Sequence, residues 1–311
     1  MKSEMRIWQR MKRWLKFLAD VPAGVMGLPG SRTTGSWRNG SSGRGKLEVF
    51  GKYPEFIDTD PRLRRTDGYQ ISADFMEIRH ECMLDSSYVK GRKILDMGCC
   101  VGATGAWVLH HGATFYHGIE YDAELANLSR ANLEKYFSHD RWKVDTTSVE
   151  DFLKSNKERY DIIIASGIIY SFFDPIPILN GMAGIADSIT IESVNPFRAR
   201  DSEPRNVLSA IRGDRALWRS FMEDTPFMVL KIQPMMRGVE AIRYRATVPG
   251  QGYLKGYMDI VGFKHVEAVH DTLESRLPER YNPSARFALR FDKVSGRQQS
   301  QGFLAAMNNA E

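Results

Sequence analysis

The chain has 311 residues, 42% of them hydrophobic and 26% charged, with a formal net charge of +5. That balance suits a soluble globular protein with one substantial core, and it excludes fibrous and disordered classes. No apolar run is long enough to span a bilayer, since the longest, residues 160–173, is broken by Gly167.

The charge is uneven. Residues 1–46 hold ten Lys and Arg against Glu4 and Asp20, a local charge of +8 that leaves −3 for the remainder. Residues 5–18 put Trp8, Met11, Leu15 and Leu18 on one helical stripe between basic side chains. Such a helix suits an anionic membrane surface, a partner, or its own domain. Asp20 and Pro22 interrupt the apolar stretch that a signal peptide needs. Three cysteines, two of them adjacent, give neither a disulfide framework nor a zinc spacing. A cytoplasmic setting with reduced thiols is expected. Residues 27–45 are rich in Gly and Ser and read as a linker. The expected organisation is a basic appendage over 1–46 and a folded domain over 47–311.

From about residue 70, strands and helices alternate. The pattern predicts a helix over 72–87, a strand over 93–98, a helix over 102–112 and a strand over 115–122. It continues with a helix over 123–137, a strand over 141–147, a short helix over 149–156, a buried strand over 160–167 and a strand over 189–194. Residues 195–250 read as a polar, helical insertion, placed to serve as a lid or substrate pocket. A helix over 252–263 and strands over 264–271 and 285–292 close the pattern. Buried strands alternating with amphipathic helices imply a parallel, doubly wound α/β sheet. Its ligand edge is the carboxyl end of the strands, at the topological switch point.

The first strand runs into "DMGCCVGATG", a glycine-rich turn opening a helix. Asp96 can accept a hydrogen bond from a cationic amine or organise the turn. Gly98 and Gly102 permit close backbone approach. Glu120 ends the second strand, where a carboxylate can take both hydroxyls of a ribose. After the third strand, Val149 can cover an adenine while Ser148 or Glu150 meets its amino edge. The fourth strand runs into "SGIIYSFFDPI".

In their order, these motifs resemble the class I S-adenosylmethionine-dependent methyltransferases, over roughly residues 70–195 plus the closing strands. The run "GIIYSFFDP" is most similar to the branch containing the tRNA wobble-uridine carboxymethyltransferases. The resemblance implies a Rossmann-like, seven-stranded methyltransferase sheet with S-adenosyl-L-methionine as cofactor. It implies a cofactor wall of Asp96, Gly98, Cys99, Cys100, Gly102, Glu120, Tyr121, Ser148, Val149, Glu150 and Ser166. That cofactor's methionine half carries no phosphate, so a small side chain at Cys100 is tolerated where a pyrophosphate loop needs glycine. Tyr170 and Arg286 match residues that face the reactive end of the cofactor, and they are expected to meet on its acceptor side. Asp174 and Glu192 are weaker candidates for base or substrate contact. His110 and His111 precede Gly112 and suit a helix-end role. No clustered His, Asp or Glu set has metal-ligand spacing, so no metal is expected.

Two departures bear on the substrate. The branch carries Trp and Lys ahead of its first strand to recognise a carboxylated cofactor, and residues 69–87 here contain neither. Ordinary S-adenosylmethionine is therefore expected. The signature of base amino-methyltransferases is also missing after the fourth strand. A small-molecule or glycan-type acceptor is favoured over an RNA substrate by the −3 charge outside residues 1–46. The intact Asp96, Glu120 and strand-four run argue against a catalytically inactive binding module.

Overall fold

Alternation within each buried strand decides the architecture. In β1 (Lys93–Met97), Ile94 packs into one apolar cluster and Leu95 into another. In β4 (Tyr160–Ser166), Ile162 and Ile164 join the first cluster and Ile163 the second. Period-two alternation with both faces buried requires a layer of helices on each side of the sheet. The structure, a computed structural model of the chain, describes residues 48–60, 73–194, 226, 228–237, 240–266 and 286–294. The chain divides into two compact units, residues 1–42 and 43–311. The helix and linker expected over 1–46 lie outside the described residues.

Seven strands form the main sheet in the order β3-β2-β1-β4-β5-β9-β8. β2 (Phe115–Glu120), β3 (Trp142–Thr146) and β5 (Ala186–Val194) run parallel to β1 and β4. β9 (Arg286–Lys293) inserts antiparallel between β5 and β8 (Phe263–Val266). The order in which successive strands are added reverses between β1 and β4, which is the switch point. This is the doubly wound α/β sheet that the sequence pattern implies.

One face packs under α1 (Glu55–Asp58), α2 (Ala73–Met83), α4 (Ala103–His110) and α5 (Ala123–Tyr136), where Phe50, Phe56, Trp107 and Tyr116 are fully buried. Burying side chains of this size contributes about 1.5–3 kcal/mol each. α3 (Ser86–Val89) follows α2 after Asp85, whose carboxylate accepts from the Ser87 amide at 2.7 Å. The single helix expected over 72–87 is therefore two, because Asp85 caps the second. The other face packs under α6 (Val149–Ser155), α7 (Ile176–Ile185) and α8 (Gln251–Ile260). Among the described residues no helix is long and apolar enough to cross a membrane.

Over residues 228–237 and 240–249, the helical character expected for the insertion at 195–250 is corrected. Residues 228–249 form an antiparallel hairpin of β6 (Met228–Arg237) and β7 (Glu240–Pro249). Alternating branched and aromatic residues in "EAIRYRATVP" favour a strand, and Pro234 is tolerated because a two-stranded ribbon leaves edges unpaired. The Thr247 amide donates to the Phe172 carbonyl at 2.8 Å, tying the hairpin base to the segment just after β4. Residues 195–225 lie outside the described residues.

Candidate functional site

The glycine-rich turn joins β1 to α4 at the switch point. Gly98 has φ +76° and Gly102 has φ +85°, both left-handed. A Cβ on Gly98 would stand 2.9 Å from Ile168 Cδ1, so any larger residue would displace that side-chain tip in addition to straining the backbone. Cys100 takes φ +51° with a side chain, a conformation that is costly for any residue but glycine. The structural reason is visible: its amide donates to Glu120 Oε2 at 2.9 Å, and its thiol is directed at Asp60 Oδ2, 3.9 Å away.

The turn's amides point into the protein. Gly98 and Cys99 both donate to the Ile119 carbonyl, at 2.8 and 3.0 Å, and Gly102 donates to the Cys99 carbonyl at 2.9 Å. With Cys100 held by Glu120, four amides of the turn have protein acceptors. A phosphate cradle directs such amides at the ligand, and these four are engaged within the protein. Cys99 was expected on the cofactor wall. Its side chain is instead turned into the core, with Sγ within 2.8 Å of where a Cβ on Gly118 would sit, and burial drives its thiol pKa well up. Cys100 is also buried. Neither thiol is placed as a nucleophile. Cys100→Gly is expected to shift stability by less than about 1 kcal/mol, since relief of the left-handed strain offsets the added freedom of the unfolded chain. Urea denaturation checks this, and a loss above about 3 kcal/mol would mean the thiol itself supports the turn.

Two carboxylates frame the turn. Glu120, 5% exposed, accepts from the Cys100 amide and, through Oε1, from the Asp122 amide at 3.1 Å. Asp96, 2% exposed, accepts from the Tyr116 hydroxyl at 2.9 Å. Burial pushes its pKa up to about 7 against the lowering by Tyr116 and the Arg79 charge. Behind it, Thr104 meets His80 Nε2 at 3.3 Å, and burial holds His80 neutral, with its pKa down to about 3.

The edge at the carboxyl ends of β4 and β5 is more elaborate than the sequence suggested. Glu192, on β5, receives Arg286 from the paired strand β9 through Nε and through Nη2 at 2.8 Å. It also receives Arg79 Nη2 from α2 at 3.2 Å and the Ser166 hydroxyl at 3.1 Å. Arg79 Nη2 donates to Ser166 as well, at 2.5 Å. Ser166 was expected on the cofactor wall and is placed inside this network. Arg286 Cζ lies 5.7 Å from the Tyr170 ring centroid, so the two residues expected to meet do meet. Arg79 and Asp60 were not singled out from the sequence. The available signal for Arg79 was its being the only arginine in the helix expected over 72–87, and Asp60 gave none.

Other expected residues take structural parts. Ser148 caps α6, accepting from the Asp151 amide at 3.1 Å, and Val149 is buried beside Ile119 and Phe152. Glu150 lies in the first turn of α6, and Tyr121 is 55% exposed after β2. Asp174 accepts from the Ile176 amide at 2.9 Å at the start of α7. His111 ends α4 against Trp107, with ring centroids 4.1 Å apart, while His110 meets the Tyr53 hydroxyl at 3.2 Å. Among the described residues no cluster of His, Cys, Asp and Glu could hold a metal ion.

No protein-family profile matches the chain, and no curated protein matches it. Solved structures do. One is magnesium protoporphyrin IX methyltransferase from Synechocystis PCC 6803 with bound SAH, at 12% identity and TM-score 0.45, covering 79% of this chain and 100% of that one. A second is the N-methyltransferase NodS from Bradyrhizobium japonicum in complex with S-adenosyl-L-homocysteine, at 13% identity and TM-score 0.47, covering 78% and 100%. A third is the CcbJ methyltransferase from Streptomyces caelestis, at 10% identity and TM-score 0.46, covering 70% and 96%. These are proteins the chain is similar to; its own strand order, read directly from the sheet, carries the fold.

Proposed function

We propose that the chain is an S-adenosylmethionine-dependent methyltransferase acting on a small-molecule or glycan-type acceptor. The observation that carries this reading is the turn itself: a glycine-rich loop at the switch point whose amides serve the protein, beside a buried carboxylate at the end of β2. A nucleoside cofactor without phosphates fits a turn whose Gly98, Cys99, Cys100 and Gly102 amides are already engaged. When bound, the cofactor supplies an electrophilic methyl group on a sulfonium sulfur. Glu120 would hold the ribose, Val149 would wall the adenine, and Asp96 would face the cationic amine. Tyr170 and Arg286 would align the acceptor and exclude water. The β6–β7 hairpin, tied at its base to Phe172, would cover that side. The nearer kinship with the wobble-uridine branch rests in this reading on the run "GIIYSFFDP", which includes Tyr170, and on Arg286.

The test is calorimetric titration of S-adenosyl-L-homocysteine between pH 6 and 8. One-to-one binding is expected, tightening several-fold as pH rises toward Asp96's value of about 7 and levelling above it. The sign follows from charge. Binding a cationic amine favours ionised Asp96, so protons compete with the ligand below that value. The opposite holds for the empty protein, where the raised pKa contributes stability below the unfolded value of 3.8 that is lost as pH rises through about 7. Asp96→Asn should flatten both trends. Absence of binding would overturn the function, and affinity falling with pH would overturn the role of Asp96.

A further inference from the structure

We infer that Thr59 and Asn132 are positioning residues for the glycine-rich turn, through which residues 48–60 strap the turn into its binding shape. This rests on the methyltransferase reading for the identity of the ligand alone. It gives a part to a segment that the proposed chemistry leaves unused. The strap runs ahead of the α/β core and is fastened along its length. At its start the Val49 and Phe50 amides donate to the buried Glu77 carboxylate of α2, at 3.1 and 3.0 Å. In its middle the Tyr53 hydroxyl meets His110 of α4 at 3.2 Å, and Glu55 receives Lys135 and Tyr136 from the end of α5.

Its far end falls on the turn between β1 and α4. A Cβ on Gly102 would lie 3.4 Å from Phe56 Cε1, and Cys100 Sγ stands 3.9 Å from Asp60 Oδ2. Asn132 of α5, 6% exposed, joins strap and turn directly. Its Nδ2 donates to Thr59 Oγ1 at 2.9 Å and to the Val101 carbonyl at 3.3 Å. Thr59 continues the chain by donating to the Glu55 carbonyl at 2.7 Å. A side-chain amide has two N–H donors and is costly to bury unless they are used. Here the strap supplies one acceptor and the turn the other. The turn needs such support, because Cys100 at φ +51° holds a conformation that persists only when its surroundings fix it. Glu120 holds it from the sheet through the Cys100 amide, and the strap holds it from the helix layer through Val101. A ligand resting on the turn selects the same conformation. Ligand and strap therefore strengthen each other by one coupling free energy.

Thr59→Val keeps the bulk of the strap and removes the acceptor for Asn132 without touching the turn. In the ligand-free chain, this variant is expected to speed hydrogen exchange over residues 97–104 by about tenfold, with exchange in β4 unchanged. It is also expected to bind S-adenosyl-L-homocysteine at least about fivefold more weakly by calorimetry. The ligand should slow exchange over residues 48–60 in the parent and not in Thr59→Val, and Thr59→Ser, which restores the hydroxyl, should behave as the parent. A lowered melting temperature in Thr59→Val, with affinity within about twofold and exchange in the turn unchanged, would make the contact merely structural and overturn the inference. If Thr59→Val fails to fold, the parent alone decides: exchange over 48–60 indifferent to bound ligand would overturn the coupling. Failure of S-adenosyl-L-homocysteine to bind the parent would overturn the methyltransferase reading instead, and ligand-free exchange in the turn would still decide the part played by the strap.

Discussion

Glu192→Ala is expected to lower the stability of the folded domain by about 3–5 kcal/mol, the cost of stripping one partner from a buried ion pair. The carboxylate is 3% exposed and binds two guanidiniums and a hydroxyl from three other elements. Without it, two positive charges stay beside each other at the edge of the sheet. Domains of this size lose roughly 2–4 °C in melting temperature per kcal/mol, so thermal denaturation reads the effect directly. Burial would raise the pKa of Glu192, but the adjacent Arg79 and Arg286 outweigh it and hold the carboxyl below its usual 4.5. A depressed value contributes stability above the unfolded pKa that is lost as pH falls through the folded one. The gap between the parent chain and Glu192→Gln should therefore narrow as pH falls below 4.5 and toward the lower folded-state value. A melting temperature unchanged in Glu192→Ala would end the claim that this carboxylate organises the edge.

How much of this was legible beforehand depends on the distance over which each interaction acts. β1, the turn and β4 were readable because period-two burial and left-handed glycines are local signals. Tyr170 and Arg286 were brought together by topology alone, since β9 pairs with β5 so that Arg286 lies opposite Val194. The network around Glu192 was not readable, because Arg79 lies 87 residues from Ser166 and 113 from Glu192. α7 was missed because Pro175, Pro177, Gly181 and Gly184 punctuate its sequence like a loop. Proline is tolerated in a first helical turn, where the amide has no partner, so the helix survives the punctuation. Gly181 lets Leu153 of α6 pack closely, with Cδ1 2.8 Å from where a Cβ would stand. From the resemblance, Cys100 was expected as a small wall residue. It did not show that the residue is held at positive φ by a carboxylate twenty positions away.

That last contact sets the second large effect. Glu120→Ala is expected to weaken S-adenosyl-L-homocysteine binding by at least about 100-fold, since the carboxylate's charge-assisted bonds are worth about 1.5–3 kcal/mol each. Two roles are mixed in that number. Glu120 holds the turn through the Cys100 and Asp122 amides, and in the proposed function it also takes the ribose. The double variant Cys100→Gly, Glu120→Ala separates them. Glycine adopts φ +51° without strain, so it restores the shape of the turn without returning the carboxylate. If Glu120 contacts the ligand, the double variant regains melting temperature over Glu120→Ala but not affinity. If the residue only holds the turn, both return together. Calorimetry showing parent-like affinity in the single variant would remove Glu120 from the site altogether.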